Sequence, residues 1–152
     1  MNDLNQKEKR SFGIIPIFED YDGYKVLVVQ NAKGGYWGFP KGTPEKDEEP
    51  MQTAIRELWE ETGIKKDDIT IQSAPELIER HPFIKDNEEY IKVNTYRIGF
   101  VSKDTIGDNL DEIIEARWVT LTEAKKLFTI NSIIDIANQV EEYLESLQEH
   151  NW

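Results

Sequence analysis

The residues from Gly42 to Ile64 constrain the fold of this chain more than any other stretch. Within them, apolar residues recur every three or four positions, which is the spacing of one buried stripe along an α-helix. Pro50 suits the first helical position, and Gly63 suits the left-handed residue just beyond the end. The sequence therefore predicts a helix over 50–62 whose buried stripe consists of Met51, Ala54, Ile55, Leu58 and Thr62.

Three glutamates, Glu57, Glu60 and Glu61, stand at positions i, i+3 and i+4 of this helix. This spacing predicts one cluster of carboxylates on a face turned away from the apolar stripe. Like charges so placed repel each other, so the cluster either binds a cation or is a solvated acidic face. Mg²⁺ prefers oxygen ligands and commonly bridges carboxylates to substrate phosphates, so it is the cation that would suit these three side chains.

The surrounding residues decide between these two interpretations. Gly42, Glu48 and the run Arg56-Glu57-Leu58-x-Glu60-Glu61-x-Gly63-Ile64 match every fixed position of the Nudix box, so the chain resembles the Nudix hydrolases. The resemblance implies an α/β fold, a Nudix-type α/β/α sandwich with a central mixed β-sheet. It also implies a divalent cation, Mg²⁺ with Mn²⁺ as the alternative, held against a phosphoanhydride bond.

The resemblance assigns roles within the box. It implies that Glu57 and Glu61 bind metal and that Glu60 is a third ligand or a nearby acid. We expect Arg56 to pair with Glu48 and to hold loop and helix in register, as a positioning part of the catalytic site.

The residues before the box narrow the resemblance. Trp37-Gly38-Phe39-Pro40-Lys41-Gly42 resembles the approach to the box in the diadenosine tetraphosphate hydrolase branch. It implies that Lys41 contacts phosphate through its side chain and metal through its backbone carbonyl. For Trp37 and Phe39, packing in the core is an equally good interpretation.

The same branch implies further substrate contacts from Phe83, Lys92, Tyr96 and Tyr143. Phe83 replaces a tyrosine that stacks on adenine, which keeps the ring and loses the hydroxyl. Alternation along 90–101 predicts that Lys92, Asn94 and Tyr96 share one strand face, which would otherwise simply face solvent. For Tyr143 the alternative is core packing beside a helical stripe.

An acid outside the box completes the predicted site. The resemblance implies that Glu112, six residues before Trp118, approaches the metal as a ligand or as the general base. Asp111 and Glu115 compete for this role because the segment is rich in acids, and Glu57 competes with Glu112 as the base. His81 is not expected to act as a base.

The spacing of apolar residues and of turn residues predicts the remaining strands and helices. We expect strands over 11–18, 24–30, 76–84 and 90–102, a turn at Asp22-Gly23 and a short strand over 69–71. Pro16 indicates an edge strand or a bulge. We also expect a helix over 122–128 and a longer one capped by Ser132 and Asp135, with a stripe formed by Ile133, Ile136, Ala137, Val140, Leu144 and Leu147.

Composition limits the class of protein. The 152 residues suit one domain, which we place over 11–152 behind a polar lead over 1–10 that need not be ordered. The net charge of −12 argues against binding long nucleic acid, while cysteine is absent, which excludes thiol catalysis and cysteine-ligated zinc. Because the sequence shows neither an apolar signal core nor a membrane span, we expect a cytoplasmic monomer that has no membrane partner and acts on a small nucleotide.

The preferred functional hypothesis is asymmetrical hydrolysis of a dinucleoside polyphosphate, diadenosine tetraphosphate, to ATP and AMP. The nearest alternative is another Nudix pyrophosphohydrolase that acts on an RNA 5′ end, ADP-ribose or a nucleoside triphosphate. A nucleotide sensor without catalysis is a third possibility, disfavoured because all three box glutamates are present.

Overall fold

The computed structural model describes residues 7–108 and 110–149. Seven strands and three α-helices follow one another along the chain, with a short 3₁₀ turn over Lys66–Asp68. The strands are β1 (Lys7–Asp20), β2 (Gly23–Asn31), β3 (Trp37–Gly38), β4 (Lys41–Gly42), β5 (Ile69–Lys85), β6 (Glu88–Val101) and β7 (Ile113–Val119). The helices are α1 (Pro50–Thr62), α2 (Leu121–Leu127) and α3 (Asn131–Glu149).

All seven strands belong to one mixed sheet. Its main order is β3-β2-β1-β6-β5, with β4 paired to β1 and β7 paired to β2. The β1 and β6 strands run parallel, whereas the other pairs are antiparallel. The predicted mixed sheet is therefore confirmed.

Of the two alternatives expected for Pro16, an edge strand or a bulge, the edge strand is wrong, because β1 lies in the middle of the sheet. On one side β1 pairs with β4 up to Gly13 and with β2 from Ile17 onward. Pro16 falls in the gap between these two partners, where a missing backbone donor costs least.

Helices cover both faces of the sheet and produce the predicted α/β/α sandwich. On one face, Ala54 and Leu58 of α1 pack against Ile14 and Leu27. On the other face, α2 and α3 cover a larger cluster that includes Ile15 and the confirmed α3 stripe. Consecutive β1 residues thus serve opposite layers, as the pleat of a strand requires.

Helix α1 has the predicted start and stop. Pro50 occupies its first turn, and Gly63 follows its end with φ of 80°, a left-handed conformation. The Gly63 amide donates a 2.9 Å hydrogen bond to the Trp59 carbonyl, which closes the last turn.

Two expectations about element boundaries need correction. Lys7–Arg10, assigned to the polar lead, is strand, because these residues pair in parallel with 90–93 of β6. The strand over 69–71 and the strand over 76–84 are one element, β5, with an irregular register between Ile71 and Glu76. The predicted lead residues 1–6 and the terminal residues 150–152 lie outside the described residues.

The start of α3 also differs from the prediction. The helix already begins at Asn131, and the Ser132 hydroxyl donates a 2.6 Å hydrogen bond to the buried Glu79 carboxylate on β5. Ser132 therefore ties the helix to the sheet instead of forming a capping box with Asp135. Across the described part of the chain, no helix has both the length and the apolar character needed to span a membrane.

The contact between Gly63 and the loop at Gly107 yields a stability prediction. A Cβ at residue 63 would lie 2.6 Å from the Gly107 Cα and 2.9 Å from its nitrogen, whereas a Cβ at Gly35, with φ of 71°, meets nothing within 4 Å. We expect Gly35→Ala to lower the free energy of unfolding by about 1–2 kcal/mol through backbone strain alone. Gly63→Ala should cost about 1–3 kcal/mol more because backbone must also move.

Urea denaturation of both variants measures the difference. Equal losses would show that the close approach to Gly107 contributes nothing.

Candidate metal and phosphate site

A cavity of about 570 Å³ opens between α1, the sheet and the segment before β7. Two sets of charged side chains line it. Helix α1 and the segment before β7 supply acids, and the strands with the loop after β2 supply cations. The acids include Glu57, Glu60, Glu61, Asp111 and Glu112, and the lysines are Lys9, Lys33, Lys41, Lys85 and Lys92.

The β4 strand brings Lys41 and Gly42 to the rim of this cavity by pairing with Gly13 and Phe12 of β1. Gly42 allows α1 to approach closely, because a Cβ at this position would overlap the side chain of Glu57. The glycine of the box is therefore required here for the space it leaves beside a glutamate.

Arg56 holds the acidic helix together. Its Nε and Nη2 atoms form a bidentate pair with the Glu48 carboxylate at 2.8 and 2.9 Å, which confirms the predicted pairing. Its Nη1 atom bonds Glu57 at 2.9 Å and Glu60 at 3.1 Å, and Nη2 also donates to the Thr43 carbonyl. One guanidinium thus joins the loop before α1 to two box glutamates.

This arrangement divides the predicted trio of glutamates. Glu60 turns toward Arg56, whereas Glu57 and Glu61 lie side by side, and Glu61 is buried instead of facing away from the core. Glu60 turns toward Arg56 because the guanidinium attracts its carboxylate, whereas the carboxylates of Glu57 and Glu61 would repel it.

Burial and mutual contact perturb the two inner glutamates. Burial, reinforced by the adjacent Glu57 carboxyl, raises the pKa of Glu61 to about 9. Burial also raises the pKa of Glu57, against the opposing effect of its contact with Arg56. Two carboxyl groups this close need either a shared proton or a cation between them.

Because the Glu57 and Glu61 carboxyl groups need a shared proton or a cation, this pair fits a divalent cation. Among residues 7–108 and 110–149, no three acidic or histidine side chains are already gathered around one point. The inner pair nevertheless supplies two hard oxygen donors beside the β4 backbone, and Glu112 lines the same cavity. This donor set, with few protein ligands and room for water, is the kind that Mg²⁺ accepts.

The cationic side of the cavity includes two predicted phosphate contacts. Lys41 and Lys92 both line the cavity, and burial followed by the nearby Lys41 charge lowers the pKa of Lys92. Two lysines that repel each other in a partly buried position are stabilised by an anion between them.

The segment before β7 contributes the predicted outer acid. Asp111 and Glu112 line the cavity, whereas Glu115 pairs with Arg117 at 2.8 Å and does not. Glu112 adopts a left-handed backbone with φ of 57°, and its carbonyl accepts a hydrogen bond from the Ala32 amide. The structure therefore leaves two acids in this segment as candidates.

The five aromatic residues for which the sequence predicts a contact or core packing occupy different places. Phe83 lines the cavity, but Tyr96 is buried, packed edge-to-face on Phe39 at 5.9 Å between ring centroids. Tyr143 packs on the large core cluster and is not part of the cavity lining. Trp37 and Phe39 also pack in or on this core, which supports their structural interpretation.

A second buried acid, Glu79, lies on the sheet face that Lys92 shares. Asn94 donates to it at 2.8 Å, Ser132 at 2.6 Å, and its Oε2 lies 2.6 Å from His81 Nδ1. Ser132 and the carboxylate meet the same side of the imidazole, so the group lacks the relay order of a catalytic triad. The cluster therefore fixes α3 on the sheet.

Sequence reasoning missed several residues of the cavity. Lys9 was assigned to the polar lead, and Lys33, Tyr36 and Lys85 were left in loops or at a strand end. The one available signal was Gly34-Gly35, which bends the chain so that the Asn31 amide bonds the Tyr36 carbonyl at 2.9 Å.

Comparison with known proteins places this arrangement in a family. The sequence model described as NUDIX domain matches residues 7–136. The mRNA-decapping enzyme subunit 2 of Arabidopsis thaliana is 35% identical over 108 residues, which cover 70% of this chain and 26% of that protein. The RNA pyrophosphohydrolase of Actinobacillus succinogenes is 34% identical over 79 residues, 43% of this chain and 40% of that protein.

The chain thus spans only about a quarter to two fifths of the length of these curated relatives. Among solved structures, a C. elegans Ap4A hydrolase binary complex superposes with a TM-score of 0.79 at 20% identity, covering 91% of this chain and 98% of that one. At this identity the likeness concerns the fold alone.

The contacts of Arg56 predict that its shape matters as well as its charge. Arg56→Lys keeps the charge but cannot reproduce the bidentate bond to Glu48 together with the bonds to Glu57 and Glu60. We expect it to lower the free energy of unfolding by about 1–3 kcal/mol, nearly as much as Arg56→Ala. Arg117→Lys, at an exposed pair with Glu115, is the matched control and should cost under about 1 kcal/mol.

Urea denaturation measures all three variants. If Arg56→Lys were as stable as the wild-type protein, the charge of Arg56 alone would explain its contribution to stability.

The raised pKa of Glu61 predicts how stability depends on pH. Its pKa of about 9 in the fold exceeds its ordinary value of 4.5, so the stabilisation is complete below 4.5 and is lost as the pH rises toward 9. In a chelator, we expect unfolding free energy to fall by about 1–3 kcal/mol between roughly pH 5.5 and 8.5. Excess Mg²⁺ should oppose this loss, because the cation favours the ionised pair.

Thermal unfolding at both pH values, with chelator and with Mg²⁺, provides the measurement. Glu61→Gln is the control and should lose less stability across this range. The range from roughly pH 5.5 to 8.5 lies above the titration of Glu48. Arg56 is the main group that holds the pKa of Glu48 at about 2, so the stability that Glu48 contributes is lost only below pH 4.5. Identical pH profiles for both proteins would contradict the assignment.

Proposed function

The chain belongs to the NUDIX family, and we propose that it hydrolyses a phosphoanhydride bond of a nucleotide substrate with the help of a divalent cation. The observation that carries this proposal is the cavity in which a buried carboxylate pair on α1 faces lysines from the sheet. Carboxylates hold a hard cation, lysines hold the phosphate anion, and a phosphoanhydride needs both kinds of partner.

Glu57 and Glu61 would hold the cation, together with the Lys41 backbone carbonyl, and Glu60 would complete the set. When bound, such a cation would neutralise charge on the phosphoryl oxygens and make a nearby water more acidic. Arg56 fixes the Glu57 carboxylate in place through the 2.9 Å bond. Its role is therefore that of a positioning residue.

The lysines of the cavity would bind and orient the phosphate chain. The ammonium groups of Lys41 and Lys92 repel each other, so a phosphate between them stabilises both charges. Phe83 offers a ring to a nucleobase at the same cavity. Tyr96 and Tyr143 would then support this cavity by packing, since neither lines it.

For the general base, we propose Glu112 in preference to Glu57. The Glu57 carboxyl is engaged by Arg56 and Glu61, which suits a ligand. Glu112 lies across the cavity on a segment outside the helix, where its carboxylate can accept a proton from water. Asp111 lines the same cavity and is the internal comparison for this assignment.

For the substrate, we propose diadenosine tetraphosphate, cleaved to ATP and AMP. Five lysines along one cavity suit a phosphate chain longer than that of a simple diphosphate. The fold likeness to an Ap4A hydrolase is compatible with this choice. The second candidate is a phosphorylated or capped RNA 5′ end, which the sequence relatives named for mRNA decapping and RNA pyrophosphohydrolysis favour.

A substrate panel tests the proposal. The protein is incubated with Mg²⁺ and diadenosine tetraphosphate, ADP-ribose, ATP, a triphosphorylated RNA or a capped RNA, and the products are separated by chromatography. We expect ATP and AMP in equal amounts from diadenosine tetraphosphate, with the highest kcat/KM of the panel. A higher kcat/KM for either RNA would transfer the assignment to the second candidate.

Two variants link the activity to this site. Glu112→Gln should lower kcat by about 10²–10⁴-fold and leave the Mg²⁺ dependence unchanged, while Asp111→Asn should have a much smaller effect. Glu61→Gln should instead shift activity to higher Mg²⁺. Retention of normal kcat in Glu112→Gln would exclude it as the base, and binding without turnover of any substrate would indicate a sensor.

A further inference from the structure

The sheet face that lines the cavity continues beyond it toward the β5–β6 turn. Residues paired across β1, β6 and β5 form successive rows on this face, because paired residues of a pleated sheet point the same way. One row is Lys9, Lys92 and His81, and the next row outward is Lys7, Tyr90 and Phe83. Lys9 and Lys92 of the inner row and Phe83 of the outer row line the cavity, whereas His81, Lys7 and Tyr90 lie outside its lining.

The outer row is built from an aromatic pair and lysines. The rings of Phe83 and Tyr90 are stacked, with centroids 5.2 Å apart and an interplanar angle of 22°. The Lys9 and Lys7 ammonium groups lie 5.4 and 5.7 Å from the centre of the Tyr90 ring. Phe83 and Tyr90 are half-buried, and both lysines are exposed, so the group is accessible from solvent.

We infer that Lys7, Lys9, Tyr90 and Phe83 form a subsite for a second nucleotide unit, the one joined through phosphate to the unit whose phosphates meet α1. This inference rests on the proposed function and extends it. We call these four residues the distal platform. Bases stack on aromatic rings whatever their sequence, and lysines beside the rings take the adjoining phosphate.

The position of the distal platform suits a second unit. Lys7 and Gly13 are six residues apart on β1, and Gly13 is the residue that pairs with Lys41 at the cation site. At about 3.3 Å per residue, the two rows are about 20 Å apart along the strand. A ligand whose phosphates lie at Lys41 must therefore span about 20 Å to place a base at Tyr90, a length that a nucleoside diphosphate does not reach.

The charge of the distal platform also points to a phosphate ligand. The whole chain carries a net charge of −12, yet Lys7, Lys9, Lys85 and Lys92 collect on this one face. Glu88 opposes them, because it pairs with Lys7 at 2.5 Å and accepts from the Tyr90 hydroxyl at 2.9 Å. Such an exposed pair is weak, so an incoming phosphate can displace the Glu88 carboxylate at little cost.

The same contacts could serve only to stabilise the hairpin, since cross-strand aromatic pairs do so. The two roles differ in what they predict for ligands of different length. A purely structural pair affects every ligand equally or none, whereas the distal platform affects only a ligand that carries a second nucleotide.

The experiment measures binding by calorimetry, with uncleavable methylene-bridged analogues so that turnover does not enter. The probes are a diadenosine tetraphosphate analogue, an adenosine diphosphate analogue with one nucleoside, and a dinucleotide RNA with a 5′-triphosphate analogue. Tyr90→Leu should weaken the two-nucleoside probe about fivefold to tenfold and leave the one-nucleoside probe unchanged. Glu88→Gln should change affinity in the opposite direction, because it releases Lys7.

Three further measurements complete the design. Tyr21→Leu, an exposed aromatic at the β1–β2 turn, is the matched control and should bind both probes like the wild type. Lys7→Gln, at the platform lysine outside the cavity lining, leaves the rings intact and should reduce the salt dependence for the longer probes by about one charge. It also keeps the test decisive if thermal unfolding shows that Tyr90→Leu disturbs the hairpin.

Each outcome separates the distal platform from the proposed function. Equal weakening of long and short probes, or no weakening in Tyr90→Leu and Lys7→Gln, would overturn the platform even if diadenosine tetraphosphate is hydrolysed. Selective loss of the long probes would support the platform even if no substrate is turned over. Stronger binding of the RNA probe than of the dinucleoside probe would identify RNA as the source of the second unit.

Discussion

The site depends on one guanidinium group placed among carboxylates. Helix α1 carries three glutamates within little more than a turn, and Glu48 adds a fourth from the preceding loop. Without a cation, these charges would destabilise the helix that presents them. Arg56 offsets this repulsion and also selects which glutamates remain for other partners, since it engages Glu60 and one oxygen of Glu57 but does not contact Glu61.

The parts of the fold that the sequence could predict are those governed by local rules. Pro50 and Gly63 mark the ends of α1, and the apolar stripe sets its buried face, because these signals act within a few residues. Lys7–Arg10 has no such signal, being polar throughout. It is strand because β6 lies beside it, a pairing partner more than 80 residues away in sequence.

The candidate site also has a part that the sequence could predict and a part that it could not. The fixed spacing of the box identifies Glu48, Arg56 and Glu57 as neighbours, since a loop and one helix determine their positions. The direction of the Glu60 side chain, by contrast, depends on competition for a shared partner, which spacing does not reveal. Tyr143 could not be placed from its helical position alone, because the tilt of α3 on the sheet decides what the border of its stripe meets.

Two backbone hydrogen bonds attach the segment before β7 to the end of α1. The Gly107 and Asp111 amides donate to the Thr62 and Glu60 carbonyls at 2.8 and 3.0 Å, two acceptors that a helix terminus normally leaves to water. The last turn of the helix therefore protects the amides of the segment that leads to Glu112, and the two should open to solvent as a single cooperative unit. Fraying of the helix would then withdraw inner and outer acids together, so partial unfolding at this point would dismantle the candidate site while the sheet is still intact.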